Sequence, residues 1–204
     1  MAKRAFDLLA ASLGLVVLAP LFALLAVAIR ATSPGPVFFR QERVGLDGRP
    51  FCIIKFRTMR QDAEAIGGQL TVSGDPRVTR LGVALRHWKV DELPQLINVV
   101  RGEMSLVGPR PEVPRYVAHY DEHQRRVLSV RPGITDPASI AFRDESDVLS
   151  RAADPEATYL REVMPRKLEM NLAYLERRGL ASDLGVILAT LLRVVRRPQC
   201  EAIE

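Results

Sequence analysis

The amino-acid sequence predicts an α+β protein that is mostly helical and attached to a membrane by its amino-terminal segment. Three observations predict this fold class. Residues 8–29 are almost entirely apolar, residues 37–57 hold two β-prone runs around an Asp-Gly pair, and helix-like segments alternate with Gly- and Pro-rich breaks in the rest. We therefore expect a membrane anchor over residues 1–30 and a globular domain over residues 31–204.

The apolar run is long enough for a membrane helix. From Leu8 to Ile29 there are 22 residues, of which only Ser12, Gly14 and Pro20 fall outside the apolar set, and a membrane helix needs about 20. A cleaved signal peptide is an alternative that this length disfavours, because the apolar part of such peptides runs to about 7–15 residues.

Pro20 bears on the topology of this helix. A proline in mid-helix removes one hydrogen bond and clashes with the carbonyl four residues back, so we expect a kink or a break there. Cations flank the run on both sides, at Lys3, Arg4 and Arg30, and the positive-inside tendency favours keeping both ends at the cytoplasmic face. A re-entrant helix broken at Pro20 satisfies both observations, and a straight span is the alternative.

The later elements follow in chain order. Asp47-Gly48 between the two β-prone runs predicts a β-hairpin. Helices are predicted over Val78–Trp88, from Asp91 as N-cap to Arg101, and over Tyr116–Leu128, Pro155–Gly179 and Leu184–Val195. Residues 108–111 predict extended chain, and residues 131–137 predict a rigid loop. The last helix, which runs into Arg196-Arg197-Pro198, is predicted to be an amphipathic helix in the membrane interface, with an ordinary core helix as the alternative.

The composition restricts the class of ligand that the protein binds. Of the 29 cationic residues 25 are Arg, at a net charge of +5, and Arg favours bidentate contacts with phosphate. Cys52 and Cys200 have no zinc-type spacing and cannot form a disulfide framework, which predicts a reducing compartment. The aromatic content of 6% counts against nucleic acid.

The candidate chemistry centres on Asp91-Glu92. Neighbours on a helix point about 100° apart, so one carboxylate can face a cleft while the other binds a metal or orients its partner. The amino-terminal end of a helix stabilises an ionised carboxylate, which makes Asp91 a candidate nucleophile or metal ligand, with a plain helix cap as the alternative. The candidate phosphate-binding cations are Lys55 and Arg57 on one face of the second strand, and Arg86, Arg110, Arg131 and Arg143 from loops and helix ends; an ordinary surface ion pair is the alternative for each.

Six motifs in one order resemble the bacterial sugar transferases, the monotopic phosphoglycosyl transferases that begin glycan assembly. They are residues 3–7 (KRAFD), 35–45 (GPVFFRQERVG), 55–59 (KFRTM), 90–96 (VDELPQL), 102–111 (GEMSLVGPRP) and 131–135 (RPGIT). The motifs cover nearly the whole chain, and its length matches the minimal catalytic form of the family.

The resemblance implies transfer of sugar 1-phosphate from a UDP-sugar to polyprenyl (undecaprenyl) phosphate, with release of UMP and a requirement for Mg²⁺, as the first membrane step of bacterial polysaccharide or glycoconjugate assembly. Asp91 matches the nucleophile, which forms a covalent phosphosugar-aspartate and helps to hold Mg²⁺, and Glu92 matches its partner. The other matches are Lys55, Arg86 and Arg143 to phosphate-contacting cations, Pro109-Arg110-Pro111 to a nucleotide-side loop, and Pro20 to the proline that breaks a re-entrant helix.

The resemblance also implies a monotopic protein of the bacterial inner membrane, with its catalytic domain on the cytoplasmic face. Its partners would be the UDP-sugar, the polyprenyl phosphate and the bilayer, without nucleic acid, and self-association stays open. Two departures from the family concern the residue before Pro20, which is Ala19 rather than Ser, and the stretch from Asp136-Pro137 to Arg143, which bears on the sugar accepted. The alternatives are a membrane-anchored module that binds anionic lipid or nucleic acid, and a lipid diphosphate phosphatase.

Overall fold

A computed structural model describes residues 2–63 and 70–195 of the chain. The helices are α1 (Ala2–Thr32), α2 (Arg80–His87), α3 (Gln95–Arg101), α4 (Pro114–Val117), α5 (Glu122–Arg125), α6 (Pro137–Ala141), α7 (Glu145–Ser150), α8 (Pro155–Thr158), α9 (Met164–Arg177) and α10 (Leu180–Val195). The strands are β1 (Phe38–Val44), β2 (Pro50–Phe56), β3 (Ser105–Val107) and β4 (Gly133–Thr135). The described chain is mostly helical, as predicted.

Helix α1 is one helix of 31 residues that continues through Pro20. The predicted break is therefore not confirmed. Helix α1 continues on both sides of Pro20, although the proline removes one backbone hydrogen bond. Among the described residues, α1 is the one helix long and apolar enough to cross a membrane, with a mean hydropathy of 2.6 in its most apolar window. This composition fits membrane association.

Both ends of α1 contact the rest of the chain. Near its start, Asp7 accepts hydrogen bonds from Ser105 Oγ at 2.8 Å and from the Leu106 amide at 3.2 Å, and Lys3 forms an ion pair with Asp183 of α10. Near its end, Ile29 is buried in a cluster with Phe56 and Leu85. Between the ends, Ala11 is buried in a second cluster with Leu96 and Val99. Exposed apolar side chains lie elsewhere on the helix surface, at Leu9, Leu13, Val16, Val17, Leu24 and Val27.

The predicted hairpin is confirmed. Strands β1 and β2 pair antiparallel, with Phe38 opposite Phe56 and Val44 opposite Pro50. Asp47 and Gly48 have φ angles of 56° and 76°, the left-handed backbone for which an Asp-Gly pair is suited. The hairpin carries Lys55 toward the candidate site.

The other predicted elements have mixed outcomes. Helix α2 lies within the predicted range, and α3 ends at Arg101, where Gly102 adopts a φ of 85°. Helices α8 and α9, joined by a single π-helical stretch, occupy the region predicted as one or two long helices. The single helix over residues 116–128 is wrong, because Asp121 Oδ1 accepts from the Gln124 amide at 2.7 Å and starts α5 as a separate helix.

Two features were not predicted or were left open by the sequence. Strands β3 and β4 form a short parallel pair in which Ser105 lies opposite Gly133, and β4 lies inside the segment of residues 131–137 that was predicted as a rigid loop. In α10 the buried side chain is Asp183, so the core-helix alternative is wrong for its described residues. The exposed apolar side chains of α10 are Leu180, Leu184, Leu188, Leu191, Leu192 and Val195. Its predicted basic end, residues 196–198, lies outside the described residues.

Candidate active site

Asp91 and Glu92 lie in a short 3-10 turn, Val90–Glu92, between α2 and α3. Helix α3 begins only at Gln95, after Pro94, so the prediction that Asp91 is its N-cap is wrong. The chain leaves α2 through Lys89, whose φ of 56° is left-handed, and this reversal separates the two helices. Asp91 caps neither helix, and its Oδ1 is buried without a hydrogen-bond partner in the described chain.

Glu92 is held by two cations. Lys55 Nζ of β2 lies 2.8 Å from Glu92 Oε1, and Arg110 donates from both terminal nitrogens, one of them to Oε2 at 3.0 Å. Burial opposes ionisation of Glu92, but the charges of Arg110 and Lys55 outweigh it and hold its pKa well below the ordinary value. Glu92 therefore stays ionised and accepts hydrogen bonds only, which excludes it as a proton donor at neutral pH.

The pKa of Asp91 is shifted in the opposite direction from that of Glu92. Its side chain borders the same cleft, and burial and then the negative charge of Glu92 raise its pKa. Lys55, Lys89 and Arg86 act in the other direction. A carboxylate that is poorly solvated and lacks a hydrogen-bond donor at one oxygen is more basic than usual, and such a group is suited to attack an electrophile or to bind a cation.

The dyad is positioned by contacts that the sequence analysis missed. Asn98 of α3 is fully buried, accepts from the Ile54 amide at 3.0 Å and donates to the Cys52 carbonyl at 2.8 Å, which fixes α3 against β2. Gly82 of α2 lies against the Thr58 backbone, where a Cβ would come within 2.0 Å of the carbonyl oxygen. This approach lets Arg86 Nε donate to Thr58 Oγ1 at 2.8 Å.

The cleft has a volume of about 1470 Å³ and brings together most of the predicted cations. The members of the predicted set that border it are Lys55, Arg57, Arg86, Asp91, Glu92, Arg110 and Arg143. Arg143 also donates to the backbone carbonyl of Arg193. Two of the predicted cations are placed differently from the rest.

Arg57 and Arg131 have backbone partners. Arg57 lies just beyond β2, and its guanidinium donates to the Pro34 carbonyl and the Ser33 carbonyl, each at 2.7 Å. It therefore ties the end of α1 to the hairpin, which the strand periodicity did not indicate. Arg131 is exposed, does not border the cleft, and donates from Nε to the Gly102 carbonyl at 2.7 Å.

A second group of contacts supports the loop that carries Arg110. Arg43 of β1 donates to the Pro111 carbonyl at 3.0 Å and lies 3.7 Å from Glu112 Oε2. Tyr159 donates to the other carboxylate oxygen of Glu112, and burial, together with that carboxylate, raises the pKa of Tyr159 well above its ordinary value. Arg43 and Tyr159 thus position the loop that carries Arg110.

The chemistry of the donor set bears on a metal ion. Within the described ranges, no three His, Cys, Asp or Glu side chains are grouped in a way that could hold a metal. The buried Oδ1 of Asp91 is nevertheless a hard oxygen donor without a partner among the described residues. Mg²⁺ commonly binds through one or two carboxylates, with waters and substrate phosphates completing its shell, so the site fits a Mg²⁺ brought largely by a phosphate ligand.

Comparison with known proteins agrees with this geometry. The family model described as bacterial sugar transferase matches residues 1–197. The chain belongs to the bacterial sugar transferase family. That match includes α1, the hairpin, the Asp91-Glu92 turn and all of α10, so the whole cleft lies inside the family region.

Curated relatives in the family are named for one type of reaction. The chain is 39% identical over 199 residues to the UDP-glucose:undecaprenyl-phosphate glucose-1-phosphate transferase of Xanthomonas campestris, covering 95% of this chain and 39% of that protein. It is 39% identical over 193 residues to an Aeromonas hydrophila UDP-N-acetylgalactosamine-undecaprenyl-phosphate N-acetylgalactosaminephosphotransferase, covering 93% of this chain and 42% of that protein. The chain spans about two fifths of the length of these relatives. A Caulobacter vibrioides glucose-1-phosphate transferase is also 39% identical over 196 residues, with coverage of 93% and 68%.

Proposed function

We propose that the chain transfers sugar 1-phosphate from a UDP-sugar to polyprenyl phosphate and releases UMP. The observation that carries this proposal is the buried Asp91 carboxylate, whose Oδ1 has no hydrogen-bond partner in the described part of the chain, beside a Glu92 that two cations neutralise. The named activities of the relatives support the same donor and acceptor classes. The binding-module alternative requires Asp91 to be a helix cap, and Asp91 does not cap α3.

The proposed reaction has two displacements at one phosphorus atom. An Asp91 oxygen attacks the β-phosphorus of the UDP-sugar, the bond from this phosphorus to the bridging oxygen breaks, and UMP leaves with that oxygen. A phosphate oxygen of the polyprenyl phosphate then attacks the same phosphorus, and the bond to Asp91 breaks. The product is a polyprenyl diphosphate sugar, and the Asp91 carboxylate is restored.

The cations of the cleft offset the repulsion between the carboxylate and the diphosphate. Arg86 borders the cleft, and its one side-chain hydrogen bond to a described residue is from Nε to Thr58. Arg143 is the second arginine that we propose contacts a phosphate oxygen. Glu92 keeps Lys55 and Arg110 beside Asp91 and is therefore a positioning residue. Charge fixed in advance in this way stabilises the transition state without reorganisation.

Mg²⁺ is part of the proposal, with Asp91 as its protein ligand and the diphosphate as its main partner. When bound, the ion supplies positive charge that weakens the repulsion between the diphosphate and an approaching carboxylate. Burial and the Glu92 charge disfavour a bare anionic Asp91, and this electrostatic position suits a cation that arrives together with the substrate.

We also propose that α1 is a monotopic anchor whose two ends lie on the cytoplasmic face of the bacterial inner membrane, at the start of polysaccharide or glycoconjugate assembly. Support comes from Lys3 and Asp7 at one end and Ile29 at the other, which contact the same globular body. A straight span would place the two ends on opposite sides of the roughly 30 Å hydrocarbon layer, where one globular body could not contact both. In the structure α1 makes these contacts as one continuous helix, and a re-entrant course with a bend at Pro20 is our proposal for the chain in a bilayer.

The reaction is tested with purified protein, Mg²⁺, undecaprenyl phosphate, and either UDP-glucose or UDP-N-acetylgalactosamine, with released UMP as the readout. We expect UMP from at least one donor, loss of at least 1,000-fold in the variant Asp91→Asn, and no release when a chelator removes Mg²⁺. The matched control is Asp62→Asn, because Asp62 is an exposed carboxylate whose one ion pair with the described residues is to Arg60. Undiminished turnover in Asp91→Asn would contradict the assignment of the nucleophile.

The topology is tested in spheroplasts with a cysteine introduced at Ala2 in a Cys52→Ser, Cys200→Ser background. A membrane-impermeant thiol reagent added outside should not label this cysteine until the membrane is permeabilised. Labelling of intact spheroplasts would establish a straight span and contradict the monotopic anchor.

A further inference from the structure

A lysine outside the dyad and its ion pairs lies at the mouth of the cleft. Lys89 is exposed, borders the cleft and immediately precedes the 3-10 turn that contains Asp91. Its side-chain ammonium has no hydrogen bond or ion pair with any described residue, whereas the side chains of Lys55 and Arg110 are both bound to Glu92. Its charge acts on both carboxylates of the dyad. Lys89 is therefore a cation close to the reacting groups that is still available to an anionic ligand.

Exposed apolar side chains lie on the segment that leads to Lys89. Trp88, the single tryptophan of the chain, is 48% exposed, and Val83 on α2 is 59% exposed and borders the cleft. His87 stands edge-on to the Trp88 ring at 5.2 Å. A tryptophan beside a lysine at a water-exposed position is typical of a contact with the boundary between apolar and aqueous phases.

Helix α2 also stands between the membrane helix and the cleft. Its Leu81 and Leu85 pack in the cluster that includes Phe22, Leu25 and Ile29 of α1. Val83 lies about 200° around the helix from each of these leucines, on the cleft side. A lipid that leaves the layer containing α1 can therefore reach the cleft across α2.

We propose that Val83, Trp88 and Lys89 receive the polyprenyl phosphate acceptor, with Lys89 bound to its phosphate and Val83 and Trp88 against its first isoprene units. The inference rests on the proposed function, and names the acceptor side of that site. The charge pattern selects this occupant: an isolated cation beside exposed apolar side chains complements an anionic head on an apolar chain. The UDP-sugar is polar throughout, and the cleft offers it other polar lining residues, such as Arg40, Thr71 and Ser73.

The single tryptophan gives a readout that does not depend on turnover. The protein is placed in nanodiscs of phosphatidylcholine, and Trp88 emission is followed while undecaprenyl phosphate, undecaprenol or phosphatidylglycerol is added. We expect a saturable blue shift with undecaprenyl phosphate at concentrations at least tenfold lower than with either of the other lipids. An equal response to undecaprenol would overturn the role of Lys89, and an equal response to phosphatidylglycerol would reduce the surface to a general membrane contact and overturn the acceptor site.

The variants separate charge from backbone conformation. Lys89 has a left-handed φ, which Asn tolerates better than most residues, so Lys89→Asn removes the charge with little backbone strain, and Lys89→Arg keeps it. We expect Lys89→Asn to weaken the binding of undecaprenyl phosphate about tenfold and Lys89→Arg to restore at least half of that loss in free energy. Arg80→Gln is the control, because it removes one charge from an exposed position of α2 that does not border the cleft.

Steady-state kinetics tests the same inference on the acceptor and the donor separately. In Lys89→Asn and in Trp88→Ala, KM for undecaprenyl phosphate should rise about tenfold, while KM for the UDP-sugar should change less than twofold; Trp88→Phe should recover most of the loss. A rise confined to the donor KM would place Lys89 on the UDP-sugar and overturn the inference. If the wild-type protein releases no UMP with any donor, the proposed reaction fails, and the fluorescence titration still decides whether this surface binds a lipid phosphate.

Discussion

The adjacent carboxylates of the dyad should affect stability in opposite directions. Glu92 is the shared partner of Lys55 and Arg110, and its side chain is 11% exposed. The variant Glu92→Gln leaves two cations close together without their counter-charge. Breaking a buried ion pair by removing one partner costs about 3–5 kcal/mol, and we expect about 3 kcal/mol here, because the cleft is open to water on one side. For a domain of this size, such a loss lowers Tm by roughly 6–12 °C.

Asp91→Asn should instead raise Tm. The pKa of Asp91 is raised by burial and then by Glu92, and a carboxylate with a raised folded-state pKa reduces stability at every pH above that pKa. Removing its charge therefore stabilises the fold at neutral pH by about 1 kcal/mol, or roughly 2–4 °C. The same change abolishes the proposed reaction, so stability and activity should move in opposite directions.

The assay is thermal unfolding of the detergent-purified protein at pH 7.5, without substrate or Mg²⁺, followed by the near-ultraviolet circular dichroism of its aromatic side chains. Asp62→Asn serves as the control and should leave Tm unchanged, because this carboxylate is exposed. A fall in Tm for Asp91→Asn, or an unchanged Tm for Glu92→Gln, would refute the account of the dyad as one unpartnered and one doubly paired carboxylate.

Three further predictions concern residues around the site. Arg57→Gln should destabilise the protein by about 2 kcal/mol in thermal unfolding, since it leaves carbonyls at the end of α1 without a donor. Arg131→Gln should leave KM for the UDP-sugar within twofold in the UMP assay, because Arg131 does not border the cleft, and a tenfold rise would show the contrary. Hydrogen bonds from Arg77 lower the pKa of Asp75 below its ordinary value of 3.8. Their contribution to folding stability is therefore complete above about pH 5 and is lost as the pH falls through the folded-state pKa. Asp75→Asn should remove that part of the acid dependence of unfolding.

Local patterns of the sequence predicted the elements that local physics determines. The Asp47-Gly48 turn fixes the hairpin because few other pairs accept two successive left-handed residues. Helix α2 and the end of α3 at Gly102 follow from apolar spacing and from a glycine with a φ of 85°. Most of the predicted cations also border one cleft, since the motifs that suggested them come from loops and strand ends that the fold gathers together.

Long-range contacts account for most of what the sequence did not predict. Alternation along β2 placed Arg57 on the face of Lys55, but the strand ends before Arg57 and the carbonyls of Ser33 and Pro34 bind its guanidinium. The prediction that Asp91 is an N-cap failed because the chain reverses at Lys89 through a left-handed backbone conformation. A lysine rarely adopts this conformation, and no sequence pattern predicted it here. In the sequence Asn98 has no feature that distinguishes it from other helix residues, because its hydrogen bonds to β2 form only in the folded chain.

The central claim is that Asp91 is the nucleophile of a two-step transfer. The most direct measurement is the intact mass of the protein, quenched in acid after incubation with Mg²⁺ and UDP-glucose or UDP-N-acetylgalactosamine in the absence of polyprenyl phosphate. The account predicts a gain equal to one sugar phosphate, located at Asp91 by peptide fragmentation, absent in Asp91→Asn and discharged when undecaprenyl phosphate is added. UMP release without any such adduct, or an adduct that persists in Asp91→Asn, would contradict it.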